Sequence, residues 1–261
     1  MKFDDVAMVK LDMKESARSS VSMLAGEIPG ASVFHHTVPA GGEIRFPEDP
    51  AFLRVLFLCG GGAVFSSGNQ SRAYNEKAVF IASPKSGVDV TFQDDSHLLE
   101  IQWILTDADW KEIQNGAAAF PLTIRYRDAV QYRDPFKSEK TISRAIVPHR
   151  ILPRFAMGSV ETYAEDLIGK HEHPLLDQFF FSFPENDMDL LLDDLVYPMT
   201  GNALVHIPLG CDHGVSVTGS QCAHYLWIDF ISGEDGLAYL DSVHKETGDT
   251  RSFDETGKRK G

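Results

Sequence analysis

The chain has 261 residues, 43% of them hydrophobic and 24% charged, a composition typical of a globular protein with ample material for a core. Its 38 acidic and 24 basic residues give a formal net charge of −14. This balance argues against a nucleic-acid partner or an anionic membrane surface, because both need clustered positive charge. No apolar run reaches transmembrane length, the first residues do not resemble a signal peptide, and the three cysteines are too scattered for a disulfide framework. We therefore expect a cytoplasmic protein.

Short segments rich in Val, Ile, Phe and Tyr, bounded by Gly, Pro, Asn or Asp, recur along most of the chain and predict β-strands. The first set of predicted strands covers 32–39, 52–59, 78–82, 88–92 and 97–105. The second set covers 158–163, 178–183, 188–192, 203–207 and 224–231. Strands of this length and spacing favour an all-β sandwich or barrel.

The two sets of strands are related by an internal repeat. The sequence VFIASPKSGVDV resembles LVHIPLGCDHGVSV, which aligns Pro84 with Pro208. The sequence LEIQWIL resembles HYLWIDF, which aligns Trp103 with Trp227 at the same shift of 124 residues. Two matches at one shift indicate a duplicated β-barrel.

The repeat divides the chain into three predicted parts. We predict an N-terminal barrel over 1–115, a connecting segment over 116–140 and a C-terminal barrel over 141–261. A short helix is predicted at 107–115 with Asp107 as its N-cap. The connecting segment is polar, basic and aromatic and is expected to lie over the surface, and the polar end of the chain is expected to be mobile.

The C-terminal half contains a histidine-rich segment, GKHEHPLLDQFFFSF. Alternate residues of a strand face the same way, so His171 and His173 can direct two imidazoles at one point inside a barrel. Gln178 begins the next strand after a short turn and can reach the same point. His213 follows a Pro-x-Gly turn that starts at Pro208 and reverses the chain. The predicted ligands of one divalent metal ion are His171, His173, Gln178 and His213.

The same residues carry a resemblance to a known family. An HxH pair, a Glu or Gln about five residues later and a Gly…Pro-x-Gly-x-x-His segment resemble the two motifs of the cupin superfamily. The second motif consists here of Gly201, Pro208, Gly210 and His213. The resemblance implies two tandem cupin barrels, all-β with a few short helices, and a metal ion in the C-terminal barrel. Gln178 stands where most cupins have Glu.

The repeat also supplies a comparison for the N-terminal barrel. A shift of 124 residues brings the four ligand positions onto Pro47, Asp49, Arg54 and Asp89. Proline has no donor atom in its side chain and arginine stays cationic. The N-terminal barrel is therefore predicted to be metal-free and to serve packing, dimerisation or the shielding of the other pocket.

The ligand set itself indicates a type of chemistry. Three imidazoles and an amide are neutral, so the full charge of the ion is available to polarise a hydroxyl or carbonyl group. Mixed nitrogen and oxygen ligands suit Zn, Ni, Mn or Fe without distinguishing among them. The His–His–Gln–His set is similar to that of the small cupins that rearrange unsaturated uronates in pectin and alginate breakdown. In those proteins an acidic residue on the last barrel strand takes part in proton transfer, which implies Asp229 here.

Further candidates come from the alternation of side chains. Tyr225, Trp227 and Asp229 share one face of the last strand, which either lines a substrate pocket or faces solvent. Glu161, on the strand before the metal motif, is a second acid/base candidate. Arg154 is a candidate partner for a substrate carboxylate. A surface position is the alternative for both of these charged residues.

These features predict a metal-dependent bicupin enzyme that acts on a small polar metabolite, sugar-derived or carboxylate-bearing. Isomerisation, tautomerisation or ring opening would proceed by Lewis-acid and acid/base chemistry. The alternatives are an iron- or nickel-dependent dioxygenase and a non-catalytic ligand-binding cupin. A second copy of the chain is an expected partner because cupins often pair through exposed sheet edges.

Overall fold

The structure is a computed structural model that describes residues 6–11, 18–116 and 119–249, together with the backbone of 252–253 and 259–260. Apart from those two backbone segments, the predicted mobile end of the chain from residue 250 lies outside the described residues. The chain forms two compact units. The N unit comprises residues 12–128, and the C unit comprises residues 1–11 and 129–261.

The strands of the first half are β1 (Met8–Lys10), β2 (Ser19–Met23), β3 (Ala31–Val38), β4 (Glu43–Phe46), β5 (Phe52–Gly60), β6 (Ala63–Ser67), β7 (Gln70–Tyr74), β8 (Ala78–Ile81), β9 (Val88–Phe92), β10 (Ser96–Ile104) and β11 (Leu122–Arg125). Those of the second half are β12 (Val130–Arg133), β13 (Ile142–Leu152), β14 (Phe155–Tyr163), β15 (Asp166–His171), β16 (Leu176–Ser182), β17 (Asp187–Leu192), β18 (Leu195–Thr200), β19 (Ala203–Ile207), β20 (His213–Val217), β21 (Cys222–Ile231), β22 (Lys245–Glu246), β23 (Ser252–Phe253) and β24 (Arg259–Lys260). The helices are α1 (Asp107–Gln114), α2 (Glu234–Val243) and a short 3₁₀ turn (Tyr126–Asp128).

Both units have the same strand order. In the N unit, one sheet has the order β11-β8-β5-β10-β3-β2 and the other β4-β9-β6-β7. In the C unit, the corresponding series are β19-β16-β21-β14 and β15-β20-β17-β18. Strands β3 to β10 thus match strands β14 to β21 one by one, so the predicted duplication and the predicted all-β class are confirmed.

The burial of the strands follows from their place in the sheets. β9 alternates between buried and exposed residues, as expected for a strand with one face on a core. β21 lies between β14 and β16 and is buried along nearly its whole length. Tyr225 and Trp227 belong to the core of the C unit. On the other face of β21, Phe230 packs edge-on against Phe155 and Phe179. The face of β21 that carries Phe230 therefore does not fill the barrel.

The observed units differ from the predicted division at residues 115 and 140. β11, from the predicted connecting segment, pairs with β8 of the N unit, whereas β12 pairs with β13 of the C unit. β1 pairs with β19 and so belongs to the C unit. The physical reason is that β8 and β19 would each present an unpaired edge without these additions. The segment 116–140 contributes a strand to each unit and is not a simple surface connection.

Helix α1 confirms the predicted short helix but begins on a different cap. The N-cap is Thr106, whose side chain accepts a hydrogen bond from the backbone N–H of Asp109. The carboxylate of Asp109 in turn accepts from the backbone N–H of Thr106 at 2.6 Å. This reciprocal pair is a capping box, which places Asp107 inside the first turn. Among the described residues, no helix is long and apolar enough to cross a membrane.

A network of charges lies inside the N unit where the C unit has its predicted ligands. Arg54, which the repeat aligns with Gln178, donates from Nε to Oε1 of Glu100 at 2.9 Å. His36 Nε2 lies 3.0 Å from Oε2 of Glu100, and Gln102 Nε2 donates to Oε1 at 2.7 Å. Burial alone would raise the pKa of Glu100, but the hydrogen bonds from His36, Gln102 and Arg54 lower it below its usual value.

We expect Glu100→Ala to destabilise the protein by about 3–5 kcal/mol, because it leaves Arg54 buried without its counter-ion. The folded pKa of Glu100 lies below the unfolded value of about 4.3, so its contribution is complete above that pH and disappears as the pH falls through the folded pKa. Urea unfolding at several pH values measures this difference. The control is Asp89→Ala, which removes an exposed ion pair and should cost less than about 1 kcal/mol. Equal losses in the two variants would contradict the assignment.

Candidate metal centre

Three histidines meet at one end of the C unit. His171 ends β15 and lies directly opposite His213, the first residue of β20. His173 follows two residues later, before β16 begins. One ligand atom from each ring lies within 4.8 Å of the others. The three predicted histidines are thus brought together around one point.

Hydrogen bonds to backbone carbonyls orient two of these rings. His171 Nδ1 lies 2.9 Å from the carbonyl oxygen of Gly169, and His213 Nδ1 lies 3.1 Å from that of Cys211. A carbonyl oxygen only accepts, so each Nδ1 carries the proton and each Nε2 keeps a free lone pair for a metal ion. Burial lowers the pKa of all three histidines, that of His213 to about 3, which keeps the rings neutral.

Gln178 supplies a fourth donor atom. Its Nε2 donates to Oδ1 of Asp229 at 2.6 Å. Its Oε1 is buried without a hydrogen-bond partner in the described part of the chain, and buried polar atoms in that state need an explanation. A bound cation would satisfy this oxygen. Three imidazole nitrogens and one amide oxygen are a suitable donor set for a first-row divalent metal.

The four predicted ligands line one cavity of about 20 Å³. Tyr225, Trp227 and Asp229 line the same cavity, so the polar face of β21 points to the interior of the barrel. Asp229 is 1% exposed. Burial raises its pKa to about 7, although the hydrogen bond from Gln178 and the charge of Lys137 lower it. Nε1 of Trp227 is buried with no partner among the described residues, which leaves an N–H donor for a ligand.

Glu161 and Arg154 are not brought to this cavity, which corrects the sequence-based hypotheses for both. Val160 lines the cavity, so its neighbour Glu161 points to the opposite face of β14. The carboxylate of Glu161 accepts a hydrogen bond from Nη1 of Arg144 at 2.8 Å. Arg154 lies in the turn between β13 and β14 with a φ of 52°.

Sequence reasoning missed a second wall of the cavity, formed by the segment after β12. We call residues 134–141 the strap. Phe136 of the strap stacks on the ring of His171 at 4.3 Å between centroids, and its carbonyl accepts from the N–H of Gly169 at 2.8 Å. Tyr132, Asp134 and Lys137 line the cavity. The region has no metal-ligand spacing and no strand alternation beyond β12, so its aromatic content was the available signal.

Helix α2 adds a third element near the site. The ring of Tyr239 lies 5.4 Å from that of His173, and His244, just after the helix, lines the cavity. Ion pairs from Arg150 to two carboxylates of α2 hold its exposed side, at 2.6 and 2.7 Å. Leu240 of the same helix is fully buried.

No protein-family model and no curated protein matches the sequence. Solved structures do match the fold. A cupin 2 conserved barrel domain protein from Leptotrichia buccalis aligns with a TM-score of 0.60 and 14% identity over 87% of this chain and 97% of its own. The chain has the cupin fold. An IolB-like protein from Salmonella typhimurium aligns with a TM-score of 0.67 and 16% identity over 91% of this chain and 99% of its own. The Bacillus subtilis oxalate decarboxylase with Mn(II) centres aligns with a TM-score of 0.63 and 12% identity over 89% of this chain and 77% of its own.

These comparisons confirm the predicted cupin fold. Identities between 12% and 16% establish the fold alone.

Gly158 provides the space that seats Trp227 beside the metal centre. A Cβ atom there would lie 2.1 Å from the carbonyl oxygen of Arg144 and 2.2 Å from the Trp227 ring. We expect Gly158→Ala to destabilise the protein by about 1–3 kcal/mol through overpacking, measured by urea unfolding. Gly60→Ala is the control, since nothing lies within 4 Å of a Cβ at Gly60. A Gly158→Ala variant as stable as this control would show that the ring is not confined.

Proposed function

We propose that the C unit is the site of a metal-dependent enzyme that acts on a small polar metabolite, sugar-derived or carboxylate-bearing, by isomerisation or tautomerisation. One observation carries the proposal. Four residues with neutral donor atoms suited to a divalent ion and the buried carboxyl group of Asp229 line the same cavity, and a hydrogen bond joins Gln178 to Asp229. Such a pairing of a Lewis-acid position with a proton-transfer group is what this chemistry requires.

His171, His173, His213 and Gln178 would hold the ion. When bound, it supplies Lewis-acid polarisation of a carbonyl or hydroxyl oxygen. The neutral ligand set is compatible with Zn, Ni, Mn or Fe. Mn(II) is present in the Bacillus subtilis oxalate decarboxylase, which shares the fold.

The protein's own groups account for the proton transfer. The carboxylate form of Asp229 accepts a proton from the carbon next to a carbonyl group and returns it to the neighbouring atom, so no oxidant or reductant is consumed. The hydrogen bond from Gln178 holds this carboxyl group in place. The unpartnered N–H of Trp227 can donate to a substrate oxygen.

Metal content tests the first half of the proposal. We expect wild-type protein, purified without a chelating column, to contain about one divalent ion per chain by elemental analysis. His171→Ala should lose most of it, since one of three imidazoles is removed. His206→Ala is the matched control, because His206 lies 3.6 Å from Asp177 and outside the cavity lining. Unchanged metal content in His171→Ala would contradict the assignment.

Turnover tests the second half. We expect metal-loaded Asp229→Asn to keep its ion. Its kcat should fall at least about 100-fold on whichever uronate or keto-sugar the wild type converts, because an amide cannot accept and return the proton. NMR of the reaction mixture measures this. Glu172→Gln is the control, an exposed carboxylate between two of the ligand histidines. Absence of turnover across the panel would contradict the enzymatic part, and oxygen uptake would favour the dioxygenase alternative.

A further inference from the structure

The strap places a lysine inside the metal cavity. The side chain of Lys137 is 9% exposed, and its Nζ lies 2.9 Å from Oδ2 of Asp134. The same nitrogen donates to the hydroxyl of Tyr132 at 3.2 Å. An ammonium group has three N–H donors, and these two contacts use two of them within the described residues. The third donor remains for a ligand oxygen.

Lys137 stands where two cavities of the C unit meet. The inner cavity, beside the metal centre, measures about 20 Å³. An outer cavity of about 430 Å³ is lined mainly by the strap, β12 and the end of α2, and Tyr132, Asp134 and Lys137 line both cavities. A water molecule alone needs about 10–15 Å³, so the inner cavity admits only a few atoms of a substrate. The rest of a substrate that reaches the ion would extend past Lys137 into the outer cavity.

The charges around the inner cavity favour an anion. The positive charge of Lys137 is balanced by Asp134, whose pKa is lowered by the Lys137 charge and by the N–H of Phe136 although burial raises it. The predicted ligands of the ion are neutral, so a divalent ion adds two positive charges. Asp229 can offset at most one of them. The cavity then keeps at least one uncompensated positive charge, which is costly in a buried site.

We propose that Lys137 binds a carboxylate group of the substrate at the junction of the two cavities, and that this contact selects carboxylate-bearing substrates over neutral ones. The inference rests on the proposed function, because the charge balance includes the metal ion. It assigns to Lys137 the role that the sequence suggested for Arg154, which lies outside the cavity.

Calorimetric titrations of purified protein test the proposal without measuring turnover. Zinc is titrated first into wild type, Lys137→Met and Lys140→Met, each freed of its resident ion by dialysis against a chelator and then against buffer, and all three should bind one ion. Glycolate and its neutral counterpart glycolamide are then titrated into the zinc-loaded proteins. We expect Lys137→Met to bind glycolate at least tenfold more weakly than wild type, with no change for glycolamide. Lys140→Met should match wild type, since its ammonium group contacts the carbonyl of Glu165 and lines neither cavity.

A second variant guards against a folding defect. Lys137→Met leaves the Asp134 carboxylate unpaired, whereas Asp134→Asn combined with Lys137→Met removes both charges together. The double variant should unfold at a temperature close to that of wild type and show the same loss of glycolate binding.

The outcomes separate the two proposals. Zinc binding with glycolate affinity within twofold of wild type in both Lys137 variants overturns the role of Lys137 and leaves the metal centre standing. The same holds if zinc-loaded wild type binds glycolate no better than glycolamide. Failure of wild type to bind zinc removes the metal centre and, with it, the charge argument for Lys137.

Discussion

The site depends on the register between β15 and β20. This pairing sets His171 directly opposite His213. The β15–β20 ladder shifts its register between Ile168 and His171, and a further slip of one residue would turn one of the two imidazoles to the other face of the sheet, because side chains alternate along a strand. The register is held from both sides, since β20 also pairs with β17, where Leu192 lies opposite His213. Closure of the barrel and assembly of the metal centre are therefore the same structural event.

The same strand order accommodates different buried polar groups in the two units. Where Gln178 hydrogen-bonds Asp229 in the C unit, the N unit has Arg54 joined to Glu100. Both arrangements bury polar groups on a core-facing side of a central strand, and both satisfy them through neighbours on adjacent strands. In the N unit the charges neutralise one another within the protein. In the C unit the side-chain oxygen of Gln178 has no hydrogen-bond partner among the described residues, and Gln178 lines the same cavity as the three histidines.

Sequence patterns predicted the strands, the duplication and the convergence of His171, His173 and His213, because each depends on short-range spacing or on a repeat. Alternation grouped Asp229 with its aromatic neighbours but did not decide their direction, since β21 is buried on both faces. The sequence also did not show which face of β14 points to the barrel interior. For that reason the sequence suggested Glu161 as an acid/base candidate although it lies on the opposite face. Lys137 and His244 enter the cavity from irregular segments after β12 and α2, and such long-range packing leaves no local periodicity to read.

The strap joins two functions in one piece of chain. Phe136 lies flat on the ring of His171, and one residue further on Lys137 reaches into the cavity. A ligand bound to Lys137 would therefore act on the same segment that packs against His171, one of the predicted metal ligands. Under the proposed function, thermodynamic linkage makes any coupling between ion and substrate reciprocal, so each changes the binding of the other by the same factor.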